Sequence, residues 1–265
     1  MLFGDDSASR VERVAARLLY GLAEAVWPTR CVWCGEPGTL LCPECARNLG
    51  WVDQRYACPL CGAPYGHITC TACKREWSAP VTVCATGFGD ASARMVTTLK
   101  DAHETRLAPV MAAAMACALD EAAAWVDACG GVDGHTPPRP AAPDAIAFVP
   151  ATAAAYARRG FDHMELVARA LSRYLGVGVA DVLVRGPSRD QRELSRSDRE
   201  KNLASSVRVV DDVAGASLLL VDDVVTTGAS LAACSRVCCP RARATSRRVV
   251  LQGCGKFVCR NIQLV

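Results

Sequence analysis

Residues 218–230 read Leu-Leu-Leu-Val-Asp-Asp-Val-Val-Thr-Thr-Gly-Ala-Ser, an order that few folds can accommodate. An apolar run leading into two adjacent carboxylates suits a strand buried on both faces, as in a parallel sheet. Asp222 and Asp223 then fall at the carboxyl end of that strand, where open α/β sheets bind ligands. Behind Val224 and Val225, the residues Thr226, Thr227, Gly228, Ala229 and Ser230 form a tight turn that opens a helix. Successive backbone N–H groups in such a turn make a nest for a phosphate-sized anion. Gly228 lets the backbone approach the anion with no Cβ in the way. The carboxylate pair can accept hydrogen bonds from two vicinal hydroxyls, which a ribose ring offers. The stretch therefore describes a ribose 5-phosphate site; an ordinary buried strand ending in acidic residues is the plainer alternative.

The 265 residues suffice for one α/β domain plus a smaller module, and an apolar content of 51% excludes global disorder. A formal charge of +3 gives no strong electrostatic case for nucleic acid or membrane. No run approaches the roughly 20 uninterrupted apolar residues of a membrane span, so no membrane insertion is expected. Asp5 and Asp6 near the start do not suit a signal peptide, and the expectation is a cytoplasmic protein. Val11, Val14, Ala15, Leu18, Leu19 and Leu22 repeat at helical spacing on one side, as a docking helix would.

Sixteen cysteines in such a compartment are not expected to form disulfides. Eight of them fall into four Cys-x-x-Cys pairs: Cys31 with Cys34, Cys42 with Cys45, Cys58 with Cys61, and Cys70 with Cys73. Each knuckle aims two sulfurs at one cation, and two knuckles complete a tetrahedral zinc site. Gly35 and Gly62 follow Cys34 and Cys61, where the knuckle turn often needs positive φ. Sequential pairing closes shorter loops than interleaved pairing and is the favoured arrangement, although sequence leaves both open. With no ligand position left for water, two zinc ions here would be structural and would stabilise a segment with little core of its own. Trp27, Trp33, Trp51 and Trp77 could stack on bases, but are read first as closing this small core and docking it on its neighbour.

Further along, Val81–Phe88 reads as a strand, and Met95–Lys100 and Leu107–Val126 as helices. Residues 130–144 lack periodicity and read as a loop. Ala145–Pro150 reads as a second buried strand, followed by a basic loop, Arg158-Arg159-Gly160-Phe161-Asp162-His163, and a helix over Glu165–Leu175. Such a loop at a strand's carboxyl end lies where a pyrophosphate could be met. Val177–Val184 is a candidate strand. Gln191, Leu194, Arg199 and Asn202 then occupy a basic segment, read as a mobile flap rather than an inert surface loop. Pro240 stops the helix begun at Gly228, and Arg248–Gln252 is a candidate last strand.

The 218–230 stretch resembles the phosphoribosyl-pyrophosphate (PRPP) motif of type I phosphoribosyltransferases. Joined to Arg159-Gly160-Phe161, to Gln191, Leu194, Arg199 and Asn202, and to the cysteine knuckles, it resembles the ComF/GntX family from about Cys31 to Ser230. Asp162-His163 departs from that family's usual Asn-Gln. The resemblance implies an α/β fold: a mostly parallel phosphoribosyltransferase-like sheet flanked by helices over residues 80–265, behind a double zinc ribbon at 30–78 and an N-terminal helix within 1–29. Residues 238–265 form a tail atypical of the family. PRPP or another ribose 5-phosphate ligand is the implied partner, with Mg²⁺ carried by PRPP and the zinc ions structural. Asp222, Asp223, Arg159 and Arg199 are the implied catalytic residues, with Arg158, Arg159 and Gly160 at the pyrophosphate and Gln191, Arg199 and Asn202 in the flap. The family is associated with DNA uptake or gluconate use. A protein binding single-stranded DNA or PRPP-like ligands without transfer chemistry is the alternative.

Overall fold

The computed structural model describes residues 21, 24–25, 28–58, 60–66, 70, 81–87, 89–129, 142–186, 206–225, 228–238 and 247–252. Much of the N-terminal helix, Cys73, the 130–141 part of the loop, most of the flap, Thr226, Thr227 and the tail beyond Gln252 lie outside these residues.

The sheet has four strands, all parallel, in the order β1 (Thr82–Thr86), β6 (Arg247–Gln252), β5 (Leu218–Val224), β2 (Ala145–Phe148). Strands β1, β2 and β5 are buried on both sides because helices or other strands cover both faces. Val83, Ala85, Ile146, Phe148, Leu219 and Val221 enter one core, while Cys84, Ala147, Leu218 and Leu220 enter the other. This is the period-two alternation of a pleated strand.

The first face is covered by α2 (Asp90–Asp101), α3 (Leu107–Cys129) and α5 (His163–Leu175), through Met95, Leu99, Met111, Met115, Met164, Val167 and Leu171. Helix α3 is the one helix among the described residues long and apolar enough to cross a membrane. Leu107, Met111 and Met115 are nonetheless fully buried, and α3 packs on α5 and β1 as a core helix. The second face carries α6 (Ala229–Cys238) and a separate antiparallel pair, β3 (Leu183–Arg185) with β4 (Val207–Val209).

Several expected boundaries move, each for a local reason. Helix α2 starts at Asp90 because the Ser92 hydroxyl accepts the Gly89 N–H at 3.4 Å. Helix α5 starts at His163 because the Asp162 carboxylate caps the N–H groups of Met164 and Glu165 at 2.9 and 3.4 Å. The strand expected over Val177–Val184 divides. Val179 forms an isolated parallel bridge with Ile146, and β3 leaves the sheet to pair with β4, burying Val182, Leu183 and Val207 together. The Gly186 N–H to Ser206 carbonyl bond (2.7 Å) closes the base of the flap as an antiparallel hairpin.

The cysteine module docks directly on the sheet. Val52 N–H donates to Ala85 and Gly87 N–H to Gly50, so residues 50–52 cover the open edge of β1. Cys84, fully buried on β1, donates through Sγ to the Cys61 carbonyl at 3.6 Å. Gly62 sits at φ +69°, and a Cβ there would lie 2.3 Å from the Cys84 Sγ. The side chains of Trp33 and Trp51 do not build this junction as expected. Trp33 and Trp51 are exposed, and Leu49 and Val52 are buried instead. Trp27 and Trp77 lie outside the described residues.

Candidate functional site

Strand β5 carries Asp222 and Asp223 at its carboxyl end, both buried, 8% and 5% exposed. At the end of the strand the two side chains are close enough to interact, yet each has its own partners. Asp222 accepts the Asp223 N–H at 2.9 Å through Oδ1. Burial, reinforced by the neighbouring Asp223 charge, pushes its carboxyl well above the usual range. Burial acts on Asp223 in the same sense. There a hydrogen bond from His163 and the charge of Lys100 outweigh it and hold the carboxyl below the usual range. The pair thus favours a single negative charge, on Asp223.

Around that charge the fold gathers groups from three helices. Lys100, near the end of α2, makes an ion pair with Asp223 Oδ2. His163, the first residue of α5, places Nε2 at 3.2 Å from the same oxygen. Arg159 closes α4 (Ala153–Arg159), with Nη1 at 3.4 Å from His163 Nδ1 and Nη2 at 3.8 Å from Asp101 Oδ1. Arg158 and Arg159 therefore stand in the last turn of a helix, correcting the expectation of a loop. Gly160 ends that helix at φ +79°, the left-handed conformation that a C-cap requires. Arg158 is exposed, whereas the Arg159 side chain is 11% exposed and its buried Nε has no hydrogen-bond partner among the described residues. Asp162 is taken by structure, since it caps α5 and accepts the Ala151 N–H at 2.6 Å.

Beyond Asp223, Val224 is half-buried and Val225 buried. Gly228 has φ +69°, and its carbonyl accepts the first helical N–H, from Ala232, so it caps α6; Ala229 and Ser230 open that helix. The carboxylate pair and the start of α6 are thus consecutive at one end of the sheet. Arg185, at the base of the flap, is half-buried, and its Nε has no hydrogen-bond partner among the described residues. Gln191, Arg199 and Asn202 lie outside the described residues.

The cysteines form two clusters. The sulfurs of Cys31, Cys34, Cys42 and Cys45 lie within 4.8 Å of one another, as do those of Cys58, Cys61 and Cys70. Sequential pairing is the arrangement found. Gly35 and Gly62 take the expected positive φ, +79° and +69°. Cys42 caps the short helix α1 (Pro43–Arg47), its sulfur accepting the Cys45 N–H at 3.4 Å, while Cys31 accepts that of Cys42 at 3.5 Å. Burial raises Cys31, but N–H groups of Cys42, Cys34 and Trp33 outweigh it and lower the thiol to about 6. Burial and the surrounding sulfurs push Cys45 up instead. Four sulfurs so close cannot all be thiolates without a cation among them, so the cluster fits a metal ion. The carboxylate pair does not form such a cage: Asp223 is engaged by Lys100 and His163, and Asp222 by a backbone N–H.

No family profile matches the sequence. Over 217 residues it is 30% identical to the DNA utilization protein YhgH of Salmonella typhi, covering 77% of this chain and 88% of that protein. The chain belongs to the YhgH family. DNA utilization proteins YhgH of Escherichia coli K12 and Shigella flexneri are 27% identical with the same coverage. In this member of the YhgH family, sequence reasoning missed Lys100 and Asp101. A lysine closing an amphipathic helix looks like any solvated C-terminal charge. Only the fold brings it to a carboxylate more than one hundred positions away in the chain.

Proposed function

We propose that the chain binds PRPP at the carboxyl end of β5 and is a phosphoribosyltransferase-like protein of the ComF/GntX type. The observation that carries this reading is the buried carboxylate pair at the end of β5, with Lys100, Arg159 and His163 gathered around Asp223 and α6 starting a few residues further along the chain. Asp222 and Asp223 would hold the ribose 2- and 3-hydroxyls, one carboxyl as donor and one as acceptor. Thr226 to Ser230 would hold the 5-phosphate. Transfer breaks the bond from C1 to pyrophosphate, leaving positive charge on the ring and negative charge on the leaving group. Arg159, with Arg199 from the flap, would neutralise the latter. Mg²⁺ would arrive on the oxygens of PRPP, since the carboxylates offer it no cage. Each cysteine cluster would hold a structural zinc ion, with Cys73 completing the second.

Pyrophosphate release from PRPP across a panel of purine and pyrimidine bases tests transfer. Unchanged PRPP affinity in the Asp222→Ala/Asp223→Ala double variant would refute the site itself. A second reading follows the relatives, which are DNA utilization proteins: a DNA-utilization or DNA-uptake role without transfer. It expects Arg199→Ala to weaken single-stranded DNA binding and flatten its salt dependence. The PRPP reading expects loss of PRPP binding well beyond that of ribose 5-phosphate.

A further inference from the structure

We propose that His163 is a positioning residue that holds Arg159 and Asp223 in one hydrogen-bonded chain of fixed polarity, and that a proton on its Nδ1 releases Arg159. A guanidinium has only donors to offer. The 3.4 Å contact between Arg159 Nη1 and His163 Nδ1 is therefore a hydrogen bond only if Nδ1 is the acceptor. The single ring proton then sits on Nε2 and donates to Asp223 Oδ2, 3.2 Å away. The two neighbours together select one tautomer of the neutral ring. The ring cannot easily turn away, being 8% exposed at the start of α5, next to the buried Met164.

The charged groups facing this chain are Asp223 and, behind it, Asp222 on β5, Lys100 and Asp101 on α2, Arg159 on α4, and Asp162 before α5. Asp162 supplies the alternative state. Its Oδ1 lies 3.8 Å from Nδ1, a charged acceptor beside a proton placed there. Protonation thus turns Nδ1 from acceptor to donor, directs it to Asp162 and sets two cations against each other where Arg159 had its partner. Arg159 then keeps only its longer contact with Asp101. The consequence for ligands rests on the reading of Arg159 as the pyrophosphate contact: affinity for PRPP falls as His163 is protonated.

Two measurements on the full chain test this, and they fail separately. The first is imidazole ¹⁵N spectroscopy without ligand, with the His163 signals assigned by their loss in His163→Gln. At about pH 8 the expected species is neutral with the proton on Nε2, becoming a mixture in Arg159→Ala. A proton on Nδ1, or a spectrum indifferent to Arg159→Ala, would overturn the proposal. The second is PRPP titration of wild type and His163→Gln. A glutamine amide can accept from Arg159 and donate to Asp223 but does not titrate, and ionisation of the ligand cancels in the ratio of the two affinities. Wild type should match His163→Gln while the ring is neutral and fall about fivefold or more behind it once the ring is protonated in acid. A ratio that does not change with pH would overturn the positioning role. If neither protein binds PRPP while the tautomer is as expected, the PRPP reading falls and the polarity of the chain stands.

Discussion

Replacing Lys100 with methionine isolates the feature that sequence reading did not supply. Methionine keeps most of the stem but removes the ammonium from Asp223, whose side chain is 7% exposed. Breaking a fully buried ion pair from one side costs about 3–5 kcal/mol, because the remaining charge has lost its partner. Two facts reduce that figure here. The Lys100 side chain is 22% exposed, and His163 still donates to the same oxygen. We expect a loss of about 2–3 kcal/mol by urea denaturation at neutral pH, read by linear extrapolation. Asp223→Asn in the same background removes the stranded charge and should restore stability to within about 1 kcal/mol of Asp223→Asn alone. The pH dependence has a definite sign. Asp223 has a lowered pKa in the folded state, so its contribution is present above the unfolded carboxyl value of about 3.9 and is lost as pH falls through the folded value. The gap between wild type and Lys100→Met should therefore close in acid. A single variant within about 0.5 kcal/mol of wild type at neutral pH, or no recovery on adding Asp223→Asn, would refute the electrostatic account.

Asp222 predicts the opposite sign: its raised carboxyl opposes folding at high pH, and the penalty shrinks as pH falls below the folded value and is gone below the unfolded value of about 3.9. Asp222→Asn should stabilise the protein at alkaline pH by about 1.4 kcal/mol per unit of upward shift, with the gain vanishing in acid, as read by urea midpoints across pH. Elemental analysis of reduced, chelator-washed protein should find two zinc ions per chain, and Cys45→Ser should lower the content by one; a metal-free wild type would contradict the cluster assignment. Gly62→Ala should cost about 2–4 kcal/mol, combining a left-handed backbone with intrusion on a buried sulfur. Cys84→Ala should relieve only the steric share, and strict additivity of the two changes in thermal or urea melts would show that the side chains do not meet.

The apolar runs at 145–148 and 218–221 were legible as strands because burial on both faces leaves no polar interruption; knuckle spacing found the cysteine pairs but left their grouping open, and shorter loop closure favoured the sequential grouping seen for Cys31, Cys34, Cys42 and Cys45 and for Cys58, Cys61 and Cys70. The charged cluster was legible only in halves. Asp222 and Asp223 stand in a recognisable stretch, whereas Lys100 and His163 sit in helices whose sequences match surface helices as well as a site. Their convergence depends on α2, α5 and β5 meeting at one end of the sheet, which no local pattern encodes. Arg159 was placed in a loop because Gly160 reads as a loop residue; the same glycine is a C-cap, and the seven residues before it, Ala153 to Arg159, form a helix. Trp33 was drawn towards the core by its size, yet short aliphatic residues and cysteines fill so small a module more closely.

Strand β6 lies between β1 and β5, although it follows both in the chain. During synthesis β1, β2 and β5 emerge first, and none of the hydrogen bonds joining β1 to the rest of the sheet can form until residues 247–252 arrive. The nascent chain must therefore carry a gap one strand wide, with two unpaired backbone edges able to accept any extended segment that reaches them. Closure from the far end of the chain makes assembly of the sheet a late, long-range event. Loss of residues near 247 would then harm the protein most by leaving that gap permanently open, even with every charged group around Asp223 intact.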